Sequence, residues 1–143
     1  MFDLSVRNVM DRKKLLVATP QTTVAKAARL MAAKHVGAIL VVEEDRLLGI
    51  FTERDALFKV TARALDAEAT TLADVMTVQP RTIGPDEPFG KALMVMHENG
   101  FRHLPVLKGN VPVGIVSTRS ALDPDLEEFT SEANRRQYLR ARI

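Results

Sequence analysis

The apolar positions of this 143-residue chain fall into short runs and helical stripes that occur twice in the same order. In the first half, the apolar stretch "LLVAT" (15–19) predicts a strand, and "VAKAARLMAAK" (24–34) predicts a helix capped by Thr22 or Thr23. Two continuous runs follow, "AILVV" (38–42) and "LLGIF" (47–51). The polar turn "EEDR" separates them, which predicts a β-hairpin. A second helix is expected to begin at Thr52. In the second half, "RTI" (81–83) predicts a strand and "EPFGKALMVMHEN" (87–99) a helix. Asp86 is its expected cap, Pro88 lies in its first turn, and Gly100 suits a left-handed C-cap. "HLPVL" and "VGIV" form a second hairpin around "KGNVP", and the last helix is expected at Ser117. Ahead of each block, Ser5 and Thr71 cap a short helical turn ending in Val-Met. Met31, Met94 and Met96 fall at helical positions expected to face a core.

A shift of 65 residues carries Gly49 onto Gly114 and aligns 24–57 with 89–122 without a gap. Lys26 meets Lys91, Met31 meets Met96, Val41 meets Val106, and Arg54 meets Arg119. "SVRNVM" (5–10) and "TLADVM" (71–76) match at an offset of 66, so one residue was gained or lost between the blocks. The chain is therefore a tandem repeat of about 60 residues. Each unit reads strand–helix–strand–strand–helix, an α/β (α+β) pattern. Residues 1–68 make the first unit, 69–122 the second, and 123–143 a C-terminal helical tail. In that tail Glu127, Glu128 and Glu132 precede Arg135, Arg136, Arg140 and Arg142, which suits the helix macrodipole. One copy cannot bury both faces of a three-stranded sheet. Two copies packed about a pseudo-twofold axis can.

Composition narrows the class. Apolar residues make up 46% and charged residues 27%, ordinary for a globular protein. There is no apolar run of about 18 residues, which speaks against a membrane span. The charged start "MFDLSVRNVMDRKK" does not read as a signal peptide, so a cytoplasmic location is expected. The absence of cysteine excludes disulfides and thiolate chemistry. A net charge of +2 with scattered basic residues speaks against a nucleic-acid partner.

The candidate chemistry lies in "GIFTERD" (49–55) and its weaker twin "GIVSTRS" (114–120). Thr52 with Asp55 three residues later is a variant of the capping box, and that alone could explain both. The same geometry also suits a nucleoside phosphate. A strand running into a helix presents free N–H groups to a phosphate. Thr52 adds a hydroxyl and Arg54 a counter-charge, and the Asp55 carboxylate can accept two hydrogen bonds from a ribose diol. Gly49 leaves room for a flat base to approach the backbone.

Together with "GAILVV" (37–42), "FRHLPV" (101–106) and the paired Val-Met, these strings give the chain its resemblance. It resembles a tandem pair of CBS domains, the Bateman module found in the regulatory gamma subunit of AMP-activated kinase and in many small bacterial proteins. The resemblance covers roughly residues 5–122. It implies two clefts between the repeats that take adenine nucleotides. One site would use Ile50, Thr52 and Asp55, with base contacts near Met76 to Arg81 and at Phe101 and Arg102. The other would use Ile115, Ser117 and Ser120, with base contacts near Met10 to Leu16 and at Val36 and Gly37. Arg102, His103 and Arg119 are candidate phosphate contacts. Because Ser120 lacks the carboxylate, and charge-assisted bonds are about twice as strong as neutral ones, the Asp55 site is expected to bind more tightly.

The resemblance thus implies a regulatory module for AMP, with ADP, ATP, NAD and S-adenosylmethionine as related adenosine compounds. It also implies a homodimer through the second helices and an unknown regulated partner. A protein–protein scaffold without a nucleotide is the alternative. No nucleophile-plus-base pattern, HExxH string or phosphate loop is present, and His35, His97 and His103 do not form a catalytic set, so the chain is not expected to be an enzyme.

Overall fold

A computed structural model describes residues 3–13 and 15–121. The expected helical tail at 123–143 lies outside them. In chain order the elements are α1 (Val6–Val9), β1 (Val17–Ala18), α2 (Val24–Lys34), β2 (Ala38–Glu43), β3 (Arg46–Thr52) and α3 (Glu53–Asp55), which runs into a π-helical segment Ala56–Thr61. Then come α4 (Leu72–Val75), β4 (Thr77–Val78), α5 (Phe89–Asn99), β5 (His103–Lys108), β6 (Val111–Ser117) and a 3₁₀ turn, Thr118–Ala121.

Both hairpins form as the apolar runs predict. Ala38 pairs with Thr52 and Leu40 with Ile50 in the first, and His103 pairs with Ser117 and Val106 with Gly114 in the second. Each contains one bulge at the corresponding place, after Val41 and after Val106. Thr23 caps α2, its side chain accepting from the Lys26 N–H. Gly100 ends α5 at φ 69°, the left-handed region that glycine enters without steric cost.

Three expectations need correction. "RTI" is not a strand: flanked by Pro80 and by Gly84-Pro85, it contributes only a bridge from Ile83 to Val106. The strand of that region is instead β4, directly after Val-Met, and it pairs with β3 of the first repeat. Asp86 does not cap α5, which begins at Phe89 with Pro88 in the cap position. Asp86 pairs with Arg7 at 2.9 Å instead. Met31 and Met96 are buried, but Met94 is 62% exposed and takes no part in the core.

The cores explain why two copies are needed. Phe51, Ile39, Val41 and Met31 pack with Leu72 and Val75, which belong to α4 in the second half of the sequence. Reciprocally, Phe89, Met96, Leu104 and Val116 pack with Val6 of α1. Backbone bonds fix the exchange: Val6 N–H donates to Glu87 O and Phe89 N–H to Leu4 O, as Leu72 N–H does to Thr22 O and Val24 N–H to Thr70 O. A third cluster of Ala38, Leu40 and Ile50, with Ile115 against it, fills the seam between the hairpins. Each repeat's short helix thus completes the other's core.

Candidate functional site

The seam places a polar cluster where β3 enters α3. Thr52 N–H donates to Asp55 Oδ2 at 3.0 Å, the Thr52 hydroxyl donates to the same oxygen at 3.2 Å, and Asp55 N–H donates to Thr52 Oγ1 at 3.3 Å. The capping box is therefore complete. The other carboxylate oxygen, Oδ1, faces Lys59 Nζ at 3.2 Å. Lys59 also donates to Val75 O at 3.1 Å and to Thr77 Oγ1 at 3.4 Å, across the seam.

The second copy has the same geometry without the charge. Ser117 N–H donates to Ser120 Oγ at 3.1 Å, Ser120 N–H donates to Ser117 Oγ at 3.2 Å, and the two hydroxyls lie 3.2 Å apart. A hydroxyl thus closes the box in place of a carboxylate.

Both motif glycines answer to the seam. A Cβ on Gly49 would meet Met76 Sδ at 2.6 Å and Thr77 O at 2.8 Å, and one on Gly114 would meet Met10 Sδ at 2.6 Å and Asp11 O at 3.2 Å. The space above Gly49 is filled by the Val-Met corner of the other repeat, so it is not open to a base. This differs from the expectation drawn from the sequence. The glycine admits a crossing backbone, which pairs Gly49 with Val78 and Ile50 with Thr77.

A second cluster joins the halves at Gly37. Its backbone carbonyl accepts from Glu53 N–H at 3.0 Å, and a Cβ there would meet Glu53 Oε1 at 3.0 Å and His103 Cε1 at 3.2 Å. Burial pushes the His103 imidazole below its ordinary range; the Glu53 carboxylate pulls it back up and Arg102 pushes it down. The net downward shift favours the uncharged imidazole.

Of the other sequence-derived site residues, Met76 is half-buried beside Gly49, while Arg81, Phe101, Arg102 and Arg119 are exposed. Val36 packs against the first core and Leu16 lies within it. Ile50 and Ile115 belong to the seam cluster, with Ile115 exchanging backbone bonds with Asp11 at 2.8 and 3.1 Å. Arg54 turns onto the Phe58 ring, 5.3 Å from its centroid, and so does not join Asp55. Lys59 was not singled out by the motif, although its spacing of four from Asp55 on a helix is a readable signal.

The repeat, the exchanged helices and the paired strand-to-helix boxes coincide with a known family. The CBS-domain family model matches residues 6–61 and 72–124. The chain belongs to the CBS-domain family. It is 35% identical over 130 residues to the meiotically up-regulated gene 70 protein of Schizosaccharomyces pombe, covering 83% of this chain and 18% of that protein. With the CBS domain-containing protein YhcV of Bacillus subtilis it shares 34% identity over 113 residues, 79% of each chain. The solved structure of a CBS-domain protein from Burkholderia ambifaria MC40-6 superposes with a TM-score of 0.79 at 32% identity, covering 87% of this chain and 95% of that one. This CBS pair thus spans about a fifth of the length of the first curated relatives it matches. No helix among the described residues is long and apolar enough to cross a membrane, and they hold no cluster of three or more His, Asp or Glu suited to a metal ion.

Proposed function

We propose that this CBS pair is a regulatory module that binds an adenosine-containing ligand, AMP first among them, in the cleft between the repeats beside the Thr52–Asp55 box. The observation that carries the reading is the Asp55 carboxylate: it sits at a strand-to-helix junction facing the other repeat, and its Oδ1 retains accepting capacity beside Lys59. The adjacent helix start and hydroxyl suit a phosphate, and the carboxylate suits a ribose hydroxyl. Two solved relatives lend support at the level of ligand class. A CBS domain protein from Pyrobaculum aerophilum, 21% identical, is complexed with AMP. The CBS pair of MJ0100, 22% identical, is in complex with 5′-methylthioadenosine and S-adenosylmethionine.

In this reading the module is not catalytic. Ligand bound across the seam favours one arrangement of the halves and so biases a partner protein, by no more than its differential affinity for the two arrangements. A homodimer formed by the second helices belongs to the same proposal, and the exposed Leu57 and Phe58, each 56% accessible, favour such a contact. The test is a melting panel with AMP, ADP, ATP, NAD and S-adenosylmethionine. A ligand at 100 times its dissociation constant adds about 2.7 kcal/mol. At least one adenosine compound is expected to raise the melting temperature. No shift from any of them at millimolar concentration would leave the scaffold reading in its place.

A further inference from the structure

We propose that Lys59 is a positioning residue of the Asp55 site, tying the carboxylate that would receive the ribose to the wall contributed by the other repeat. The inference rests on the adenosine-ligand reading above and deepens it. Three observations carry it. First, the Lys59 ammonium has three N–H donors and three acceptors: Asp55 Oδ1 at 3.2 Å, Val75 O at 3.1 Å and Thr77 Oγ1 at 3.4 Å. With its donors engaged, it acts through its neighbours and not by touching a ligand. Second, Asp55 Oδ2 already accepts from both the N–H and the hydroxyl of Thr52, so Oδ1 is the oxygen with a lone pair left to offer. Lys59 holds that oxygen. Third, the acid and the cation are lost together in the second repeat: a shift of 65 places Ser120 at the position of Asp55 and Pro124 at that of Lys59.

The geometry gives Lys59 a task that a surface ion pair would not have. The Asp55 side chain is 13% exposed and that of Lys59 31%, so the pair is shielded from water and less screened than one at the surface. One arm of the ammonium fixes the box at the start of α3. The other two grip the Val-Met corner that packs on Gly49. One side chain, on the π-helical segment that follows the box, thus adds a polar link between box and corner to the β3–β4 pairing that already joins them.

The experiment is a double-variant cycle read as the dissociation constant for AMP by titration calorimetry, on the wild-type chain, Lys59→Met, Asp55→Asn and the double variant. A misfolded fraction lowers the stoichiometry but leaves the constant unchanged. Lys59→Met is expected to weaken AMP roughly tenfold, the scale of one displaced charge-assisted contact. The double variant is expected to bind no more weakly than Asp55→Asn, because Lys59 works through that carboxylate. Wild-type affinity in Lys59→Met overturns the proposal. So do losses that multiply in the double variant, since they would make Lys59 a direct ligand contact. If the wild-type chain itself does not bind AMP, the ligand reading fails and this role fails with it. Binding by the wild type with no effect of Lys59→Met sinks only the positioning role.

Discussion

Gly49 and Gly114 are where a single atom decides whether the two repeats can meet. The Cβ of an alanine at position 49 would fall 2.8 Å from the backbone oxygen of Thr77, whereas at 114 the nearest backbone oxygen, that of Asp11, is 3.2 Å away. The methionine sulfurs, both at 2.6 Å, can move, but a paired backbone cannot move as readily. Gly49→Ala is therefore expected to cost about 1–3 kcal/mol of stability, the usual range for overpacking, and Gly114→Ala less. Urea denaturation of the two variants side by side checks the order. His103 gives a prediction of a different kind. Burial holds its folded-state pKa below the ordinary 6.5, so between those two values the unfolded chain binds more protons than the folded one. Its contribution to stability is full above the unfolded pKa and declines as pH falls toward the folded one. Urea midpoints should drop on acidification through the region below about pH 6.5, and the slope should flatten in His103→Gln.

The elements show how far local pattern could be read and where it stopped. Hairpins, the α2 and α5 helices and the αL glycine at 100 were legible because each rests on neighbours in sequence: apolar runs, a polar turn, a cap. The short strand β4 was not, because two residues, Thr77 and Val78, carry no periodicity, and their partners are in the other repeat. The loss of "RTI" as a strand has the same origin, with Pro80 and Pro85 leaving too short a segment to pair. The box at Thr52–Asp55 was visible as a motif and the spacing of four to Lys59 was readable, yet the reach of Lys59 across the seam was not, since its other acceptors lie 16 and 18 residues further along the chain. The exchange of α1 and α4 makes a testable demand. Leu72 is fully buried in a core that the first repeat builds together with Leu72 and Val75 of α4. Leu72→Ala should cost about 2–5 kcal/mol, as large-to-small changes in a core do. Chemical denaturation monitored by circular dichroism measures it, and a cost below about 1 kcal/mol would mean that α4 does not complete that core.

At the scale of the molecule, the pseudo-twofold arrangement offers two similar places and makes them unequal. Both have a strand-to-helix box, a glycine beneath a Val-Met corner and an antiparallel crossing of the seam. The first has the Asp55 carboxylate paired to Lys59, and the second has two serine hydroxyls. A carboxylate makes charge-assisted bonds about twice as strong as neutral ones, so under the proposed function the asymmetry of charge is expected to become one of affinity. The measurement that tests this most directly is a calorimetric titration of the wild-type chain and Asp55→Ala with AMP. One dominant site per chain is expected in the wild type, abolished or weakened by at least roughly tenfold in Asp55→Ala. Two sites of equal affinity, or a dominant site that survives Asp55→Ala unchanged, would contradict it.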